Sequence, residues 1–286
     1  MRYLAHMVFA VLVVSLKSFA YIPSARMILD RVTESSIKLP LFVEQEVTLV
    51  SGEQNMTLKE QWLFDDDNTV RLIVRGEKDL KDQIVFQNLY TDNQKTSTLS
   101  GILQNTRQAK PLMDRAFFIH SADSLMRFLV QQGIVTEEVY QAPNFKKIPN
   151  TQGKFQYVPA PFVRLGRTGG KVAWIFGPRP KMDIPAPGFW VEQDQFNILK
   201  IRNLLGDELQ ADRPTTFSRG ARWPKEITYT WLSSGMNAQA QVQATSVRAA
   251  EAQQRQLFQK HGDSRTGEFD RHRGRFLVEE FYQKFR

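Results

Sequence analysis

The sequence predicts an α+β fold: a curved antiparallel sheet carrying an N-terminal and a mid-chain helix on its concave face, followed by a helical tail. Three observations predict it. From Leu41 to Leu99 apolar residues recur at every second position in runs separated by short polar turns, the pattern of consecutive antiparallel strands. Near residues 24–35 and 121–132 the period lengthens to that of a helix. At Arg275–Phe285, Leu277, Phe281 and Phe285 form one i, i+4, i+8 row.

Each element has its local reason. Ser24 can cap a first helix whose stripe is Ile28, Leu29 and Val32. In the first strand Leu41, Val43, Val47 and Leu49 share a face, with Glu44, Glu46 and Thr48 opposite. After the turn at Ser51-Gly52, Met56, Leu58, Trp62 and Phe64 alternate with Thr57, Lys59 and Gln61. Val70, Leu72 and Val74 alternate with Thr69, Arg71 and Arg75, Ile73 being the exception. Ile84, Phe86 and Tyr90 make a fourth strand and Lys95 to Leu99 a fifth, and the charged face of these strands is expected to meet water. Ser121 caps and Gly133 stops the mid-chain helix, with Leu125, Phe128 and Leu129 as its stripe.

Strand signals resume after a proline-punctuated stretch, so no domain boundary is placed there. Phe162–Arg167 and Lys171–Phe176 flank Thr168-Gly169-Gly170 as a hairpin. Phe189–Glu192 and Phe196–Arg202 form a second, and Trp223–Trp231 with Ala238–Val247 a third. Residues 246–260 turn helical and polar, and 262–274 read as a polar linker. The organisation is a signal peptide at 1–20, a sheet domain at 21–247 and a charged helical tail at 248–286.

The N-terminus sets the compartment. Arg2 supplies a positive start, Met7 to Leu16 is apolar, and Ser18-Phe19-Ala20 places small residues for a cut after Ala20. The run is too short to span a bilayer and Lys17 interrupts it, which makes a periplasmic protein without an integral segment the expectation.

The 286 residues contain no cysteine, which excludes disulfides, thiolate metal sites and a cysteine nucleophile. Four histidines without ligand spacing leave no expected metal site, and no cofactor is expected. A net charge of +8 is too modest to indicate nucleic acid. Gly169-Gly170-Lys171 lacks the remaining residues of a phosphate loop, and Asp65-Asp66-Asp67-Asn68 lacks the glycine and glutamate of a calcium loop. Glu44 and Glu46 share a strand face, as do Glu60 and Trp62, but acids on the wet face of a strand are common and no catalytic environment can be inferred there. No nucleophile elbow is present, and an enzyme is not expected.

The aromatic inventory stands out: Trp62, Phe64, Phe86, Trp174, Phe176, Trp190, Phe196, Trp223 and Trp231. It fits an ordinary core or a concave face left partly open for a lipid-like ligand. The candidate cleft residues are Leu58, Trp62, Phe64, Leu72, Val74 and Phe86. In the tail Arg255 to Arg286 holds eight Lys and Arg against five Asp and Glu. Leu277, Phe281 and Phe285 form its candidate docking stripe for an envelope partner.

The arrangement resembles the LolA-like superfamily of outer-membrane lipoprotein carriers and their relatives. The matching parts are the signal peptide, the first helix from Ala25 to Val32, and the strands holding Glu60-Gln61-Trp62-Leu63-Phe64 and Val70 to Gly76. The helical interruption near 120–133 and the Phe189–Glu192 and Phe196–Lys200 hairpin complete them. The resemblance spans roughly residues 22–247 and implies an incomplete β-barrel with helices as a lid over a cavity that carries acyl chains between membranes. The proline-rich stretches and the tail have no counterpart in the small carriers, and relatives with this fold also act as stress sensors or assembly factors. Two functions are therefore carried forward. One is a lipid-binding or lipoprotein-carrier-like role in outer-membrane sorting; the other is an envelope interaction or sensor module with a packed core and no ligand.

Overall fold

The computed structural model describes residues 23–286 apart from 35–39, 67–68, 78–83, 92–93, 100–101, 109–111, 139–146, 150–154, 158–161, 182–184, 219–220, 259–268 and 270–271. The expected signal peptide lies outside the described residues. None of the described helices is long and apolar enough to cross a membrane.

The strands are β1 (Leu41–Ser51), β2 (Gln54–Phe64), β3 (Thr69–Gly76), β4 (Ile84–Thr91), β5 (Gln94–Leu99), β6 (Ile102–Gln108), β7 (Lys147–Pro149), β8 (Phe155–Tyr157) and β9 (Val163–Thr168). They continue as β10 (Lys171–Phe176), β11 (Gly188–Glu192), β12 (Ile198–Arg202), β13 (Glu208–Ala211), β14 (Pro214–Thr216), β15 (Arg222–Pro224), β16 (Glu226–Ser233) and β17 (Met236–Ala249). The helices are α1 (Ala25–Glu34), α2 (Ala122–Gln131), α3 (Ala252–Leu257) and α4 (Arg275–Phe285), with a 3-10 helix at Met113–Phe117.

One 13-stranded antiparallel sheet dominates, in the order β6-β5-β4-β3-β2-β1-β17-β16-β13-β12-β11-β10-β9. Two meanders meet in its middle, where β1 pairs with β17 from Leu41↔Ala249 to Val50↔Gln239. The ends β6 and β9 do not pair, so the sheet does not close into a barrel. It is nonetheless curved. Trp62 on β2 and Tyr229 on β16 are separated by β1 and β17, yet their ring centroids lie 5.1 and 4.9 Å from one guanidinium carbon, that of Arg286. Three strand spacings of about 4.8 Å would hold such rings further apart on a flat sheet.

The helices on the concave face begin as the sequence predicts. The Ser24 hydroxyl accepts from the Met27 amide at 3.1 Å and the Ser121 hydroxyl from the Ser124 amide at 3.1 Å. Ala25, Ile28, Leu29 and Val32 of α1 are buried, as are Ala122, Leu125, Phe128 and Leu129 of α2. Gly133, with φ 69°, ends α2, and the Ile134 amide donates back to the Leu129 carbonyl at 2.9 Å.

Four expectations are corrected. The outer face is not uniformly wet: Phe42, Leu63 and Ile73 form a buried apolar patch under Phe258, and Ala173, Ile175, Trp190 and Leu199 form another. Their side chains lie on the opposite parity from the main core, which is why Ile73 broke the alternation. The helix expected from residue 246 starts later, because β17 runs on to Ala249 and α3 spans only Ala252–Leu257. The Trp223–Trp231 run is two strands, with Trp223 on β15 pairing with β14 and Trp231 on β16 in the main sheet. The strand after Glu192 begins at Ile198, since Phe196 turns the chain with φ 56°.

Candidate functional site

The six candidate cleft residues lie together on the concave face, and each is 0–6% exposed: Leu58, Trp62, Phe64, Leu72, Val74 and Phe86. The three tail residues Leu277, Phe281 and Phe285 belong to the same buried cluster. The structure thus brings the two sets together: α4 lies on the face that the cleft residues make. Phe86 stacks on Tyr282 at 4.8 Å between centroids and meets Phe269 edge-on at 5.9 Å. On the other side Phe281 and Phe285 lie 5.7 and 5.5 Å from Trp231, and Phe285 lies 4.9 Å from Tyr229. Phe64, deeper in the face, is covered by Phe118 at 4.3 Å and Trp223 at 5.8 Å.

Side chains fix α4 at its edges. Ser233, beside the β16–β17 turn, donates its hydroxyl to Glu280. The Lys284 ammonium lies 3.0 Å from the Asp207 carboxylate in the β12–β13 turn. Lys95 on β5 donates to the Tyr282 carbonyl at 2.9 Å and to the Arg286 carbonyl.

Arg286, following α4, carries its charge into the core. Its side chain is 0% exposed and lies 3.1 Å from Glu60, itself 0% exposed, and 2.5 Å from Asp114. Trp62, Tyr229 and Phe281 rings surround the guanidinium at 5.1, 4.9 and 5.1 Å. The sheet also holds the carboxylates from behind. Gln45 and the Trp62 indole both donate to Oε2 of Glu60, at 2.6 and 2.9 Å, while the Arg286 Nε donates to Oε1 at 3.1 Å and its Nη2 reaches Oε2 at 3.5 Å. Tyr229 donates its hydroxyl to Oδ1 of Asp114, leaving Oδ2 to the guanidinium.

The electrostatics follow from burial. Desolvation raises the Asp114 pKa above the ordinary carboxylate range, against the opposing pull of Arg286 and the Tyr229 hydrogen bond. Burial works to lower the Arg286 pKa, but Asp114 and Glu60 outweigh it and the guanidinium remains charged. Tyr229 and Tyr282 are pushed well above the usual phenol range, chiefly by burial. Lys95 is lowered to about 8, by burial first and then by repulsion from Arg286.

Sequence reasoning placed Glu60 on the wet face of its strand, whereas it is 0% exposed, and it did not single out Asp114, Gln45 or Arg286. For two of them the signal was present: Gln45 has the parity of Val43 and Val47, and Glu60 that of Leu58 and Trp62, so the strand period turns both inward. Asp114 and Arg286 carry no local pattern, since they meet across 172 residues of sequence.

No family model matches the chain, and no curated protein sequence matches it. Solved structures are similar to it. A LolA superfamily protein from Nitrosomonas europaea is 11% identical, covering 84% of this chain and 99% of its own, with a TM-score of 0.47. A Vibrio parahaemolyticus domain described as an outer membrane lipoprotein-sorting protein is 9% identical over 83% of this chain and 98% of its own, at TM-score 0.47. A DUF1329 family protein from Desulfovibrio piger is 11% identical over 84% and 98%, at TM-score 0.49.

Proposed function

We propose that this chain is an exported periplasmic protein that binds a lipid or an acyl-bearing partner on the concave face of its sheet, in a carrier-like role in outer-membrane lipoprotein sorting. One observation carries the reading. The apolar face of Leu58, Trp62, Leu72, Val74 and Phe86 is covered on its open side by α4, a helix held through side chains and not by strand pairing. Lifting α4 would expose a continuous aromatic-lined groove without breaking the ladder of the sheet. The N-terminal run ending at Ala20 supports export, with cleavage there. A binding role is the one supported at this face, since its buried carboxylates Glu60 and Asp114 are engaged by Arg286. Native mass spectrometry of the purified protein and uptake of a fluorescent fatty acid test the reading; absence of both lipid and uptake rejects it.

A second reading is an envelope interaction or sensor module with a packed core and no ligand. The packing of Leu277, Phe281 and Phe285 into the face favours it. Under it, no acyl probe is ever taken up by the intact chain.

A further inference from the structure

We propose that the groove beneath α4 is a receptor for an arginine-bearing amphipathic helix on a separate polypeptide, and that α4 with Arg286 is the built-in competitor for that place. The inference rests on the reading of the concave face as a binding surface and names what that surface selects.

The carboxylates at the polar end of the groove have holders besides Arg286. Gln45 and Trp62 hold Oε2 of Glu60, and Tyr229 holds Oδ1 of Asp114; the shortest guanidinium contacts go to the other oxygen of each, with Oε2 of Glu60 also within 3.5 Å of Nη2. Two carboxylates from separate parts of the chain, both buried, thus converge on one cation inside an aromatic collar of Trp62 and Tyr229. An acyl chain can lie against the aromatic walls but gives these oxygens no counter-charge, so a partner that displaces α4 must bring a cation of its own. A planar guanidinium with several N–H donors answers both at once, as Arg286 does, where an ammonium presents a single point charge. The remainder of the groove reads a helix face. Leu277, Phe281 and Phe285, with Tyr282 beside them, fill the space between Phe86 and Trp231, the anchor spacing of helix-in-groove recognition. The groove therefore fits an aromatic and aliphatic helix face that ends in arginine.

The test uses the full chain and a fluorescein-labelled peptide of residues 275–286 as the probe. Against a full chain carrying Phe281→Ala and Phe285→Ala, which weakens the competitor and leaves the walls intact, the peptide is expected to bind at least tenfold more tightly than to the wild type. The same peptide with Arg286→Ala is expected to lose at least tenfold on that variant. The wild-type chain supplies an independent readout: at saturating peptide, hydrogen exchange in α4 accelerates while β1 and β17 stay protected. This decides the matter even where the double variant does not fold. Equal binding of the two peptides, or unchanged α4 exchange at saturation, overturns the proposal. So does concentration-dependent dimerisation through α4 without peptide, which would make a second copy the occupant. Uptake of a fluorescent acyl probe is measured in parallel. Acyl uptake without peptide binding rejects this inference and leaves the lipid-binding function standing; peptide binding without acyl uptake does the reverse.

Discussion

The guanidinium of Arg286 lies 3.1 Å from the carboxylate of Glu60, 226 residues earlier in the chain, and neither side chain touches solvent. Burying such a pair costs each ion its hydration, so its net contribution is small, but removing one partner alone strands the other. Arg286→Met is expected to lower unfolding free energy by about 3–5 kcal/mol, because Glu60 and Asp114 are then left without a counter-charge. Combining it with Glu60→Gln and Asp114→Asn is expected to recover a large part of that loss. Urea unfolding of the single and triple variants checks this; a triple variant no more stable than the single one contradicts it.

Tyr229 bridges the cluster, donating its hydroxyl to Asp114 while accepting from Arg286 at 3.0 Å. Tyr229→Phe keeps the ring packed on Phe285 and removes only the hydroxyl. It is expected to cost about 1–3 kcal/mol, the range for leaving buried charged groups short of one hydrogen bond. The measurement is the shift in urea midpoint at unchanged slope.

Stability is expected to peak in alkaline solution. Lys95 is lowered to about 8 in the folded chain from 10.5, so between those values the unfolded chain holds a proton that the folded chain has released, and stability rises with pH. Tyr90, Tyr229 and Tyr282 are raised in the folded state from 10.0, so above that value the unfolded chain ionises first and stability falls. Urea midpoints from pH 7.5 to 11 are expected to rise and then drop. Lys95→Met removes the rise and leaves the drop; a variant that keeps the rise places its source elsewhere.

Gly133 is where a side chain is not tolerated. Its φ of 69° is the left-handed region, and a Cβ there would sit 2.8 Å from the Cβ of Leu204. Gly133→Ala is expected to destabilise by about 1–3 kcal/mol, from backbone strain and overpacking together. Thermal unfolding reads it directly, and Leu204→Ala in the same chain is expected to return little of the loss, because alanine keeps the Cβ that makes the closest contact.

The strand periods carry most of this architecture, because a half-buried strand writes its burial into alternate residues. That period was sufficient for β1 to β5, for the β9–β10 hairpin and for both capped helices. It failed for β6, Ile102–Gln108, which is polar throughout most of its length and lies at the sheet edge, and for β13, only Glu208–Ala211. The site was legible by halves. The aromatic face and the stripe of α4 were each visible, but their mutual burial is a contact between distant segments with no local signature. Glu60 shows the limit most clearly: its parity points inward, while its charge suggests water, and the partner that reconciles them is Arg286.

The pairing of β1 with β17 has a bearing on how the molecule comes into being. The middle of the sheet joins segments that the ribosome makes some two hundred residues apart, so the first meander waits with Leu41–Ser51 as an unpaired edge until Met236–Ala249 arrives. Such long-range closure slows folding and leaves a sticky intermediate. A chain interrupted before residue 236 is therefore a candidate for aggregation and for capture by holdase chaperones, and the quality of late synthesis governs the fate of everything made before it.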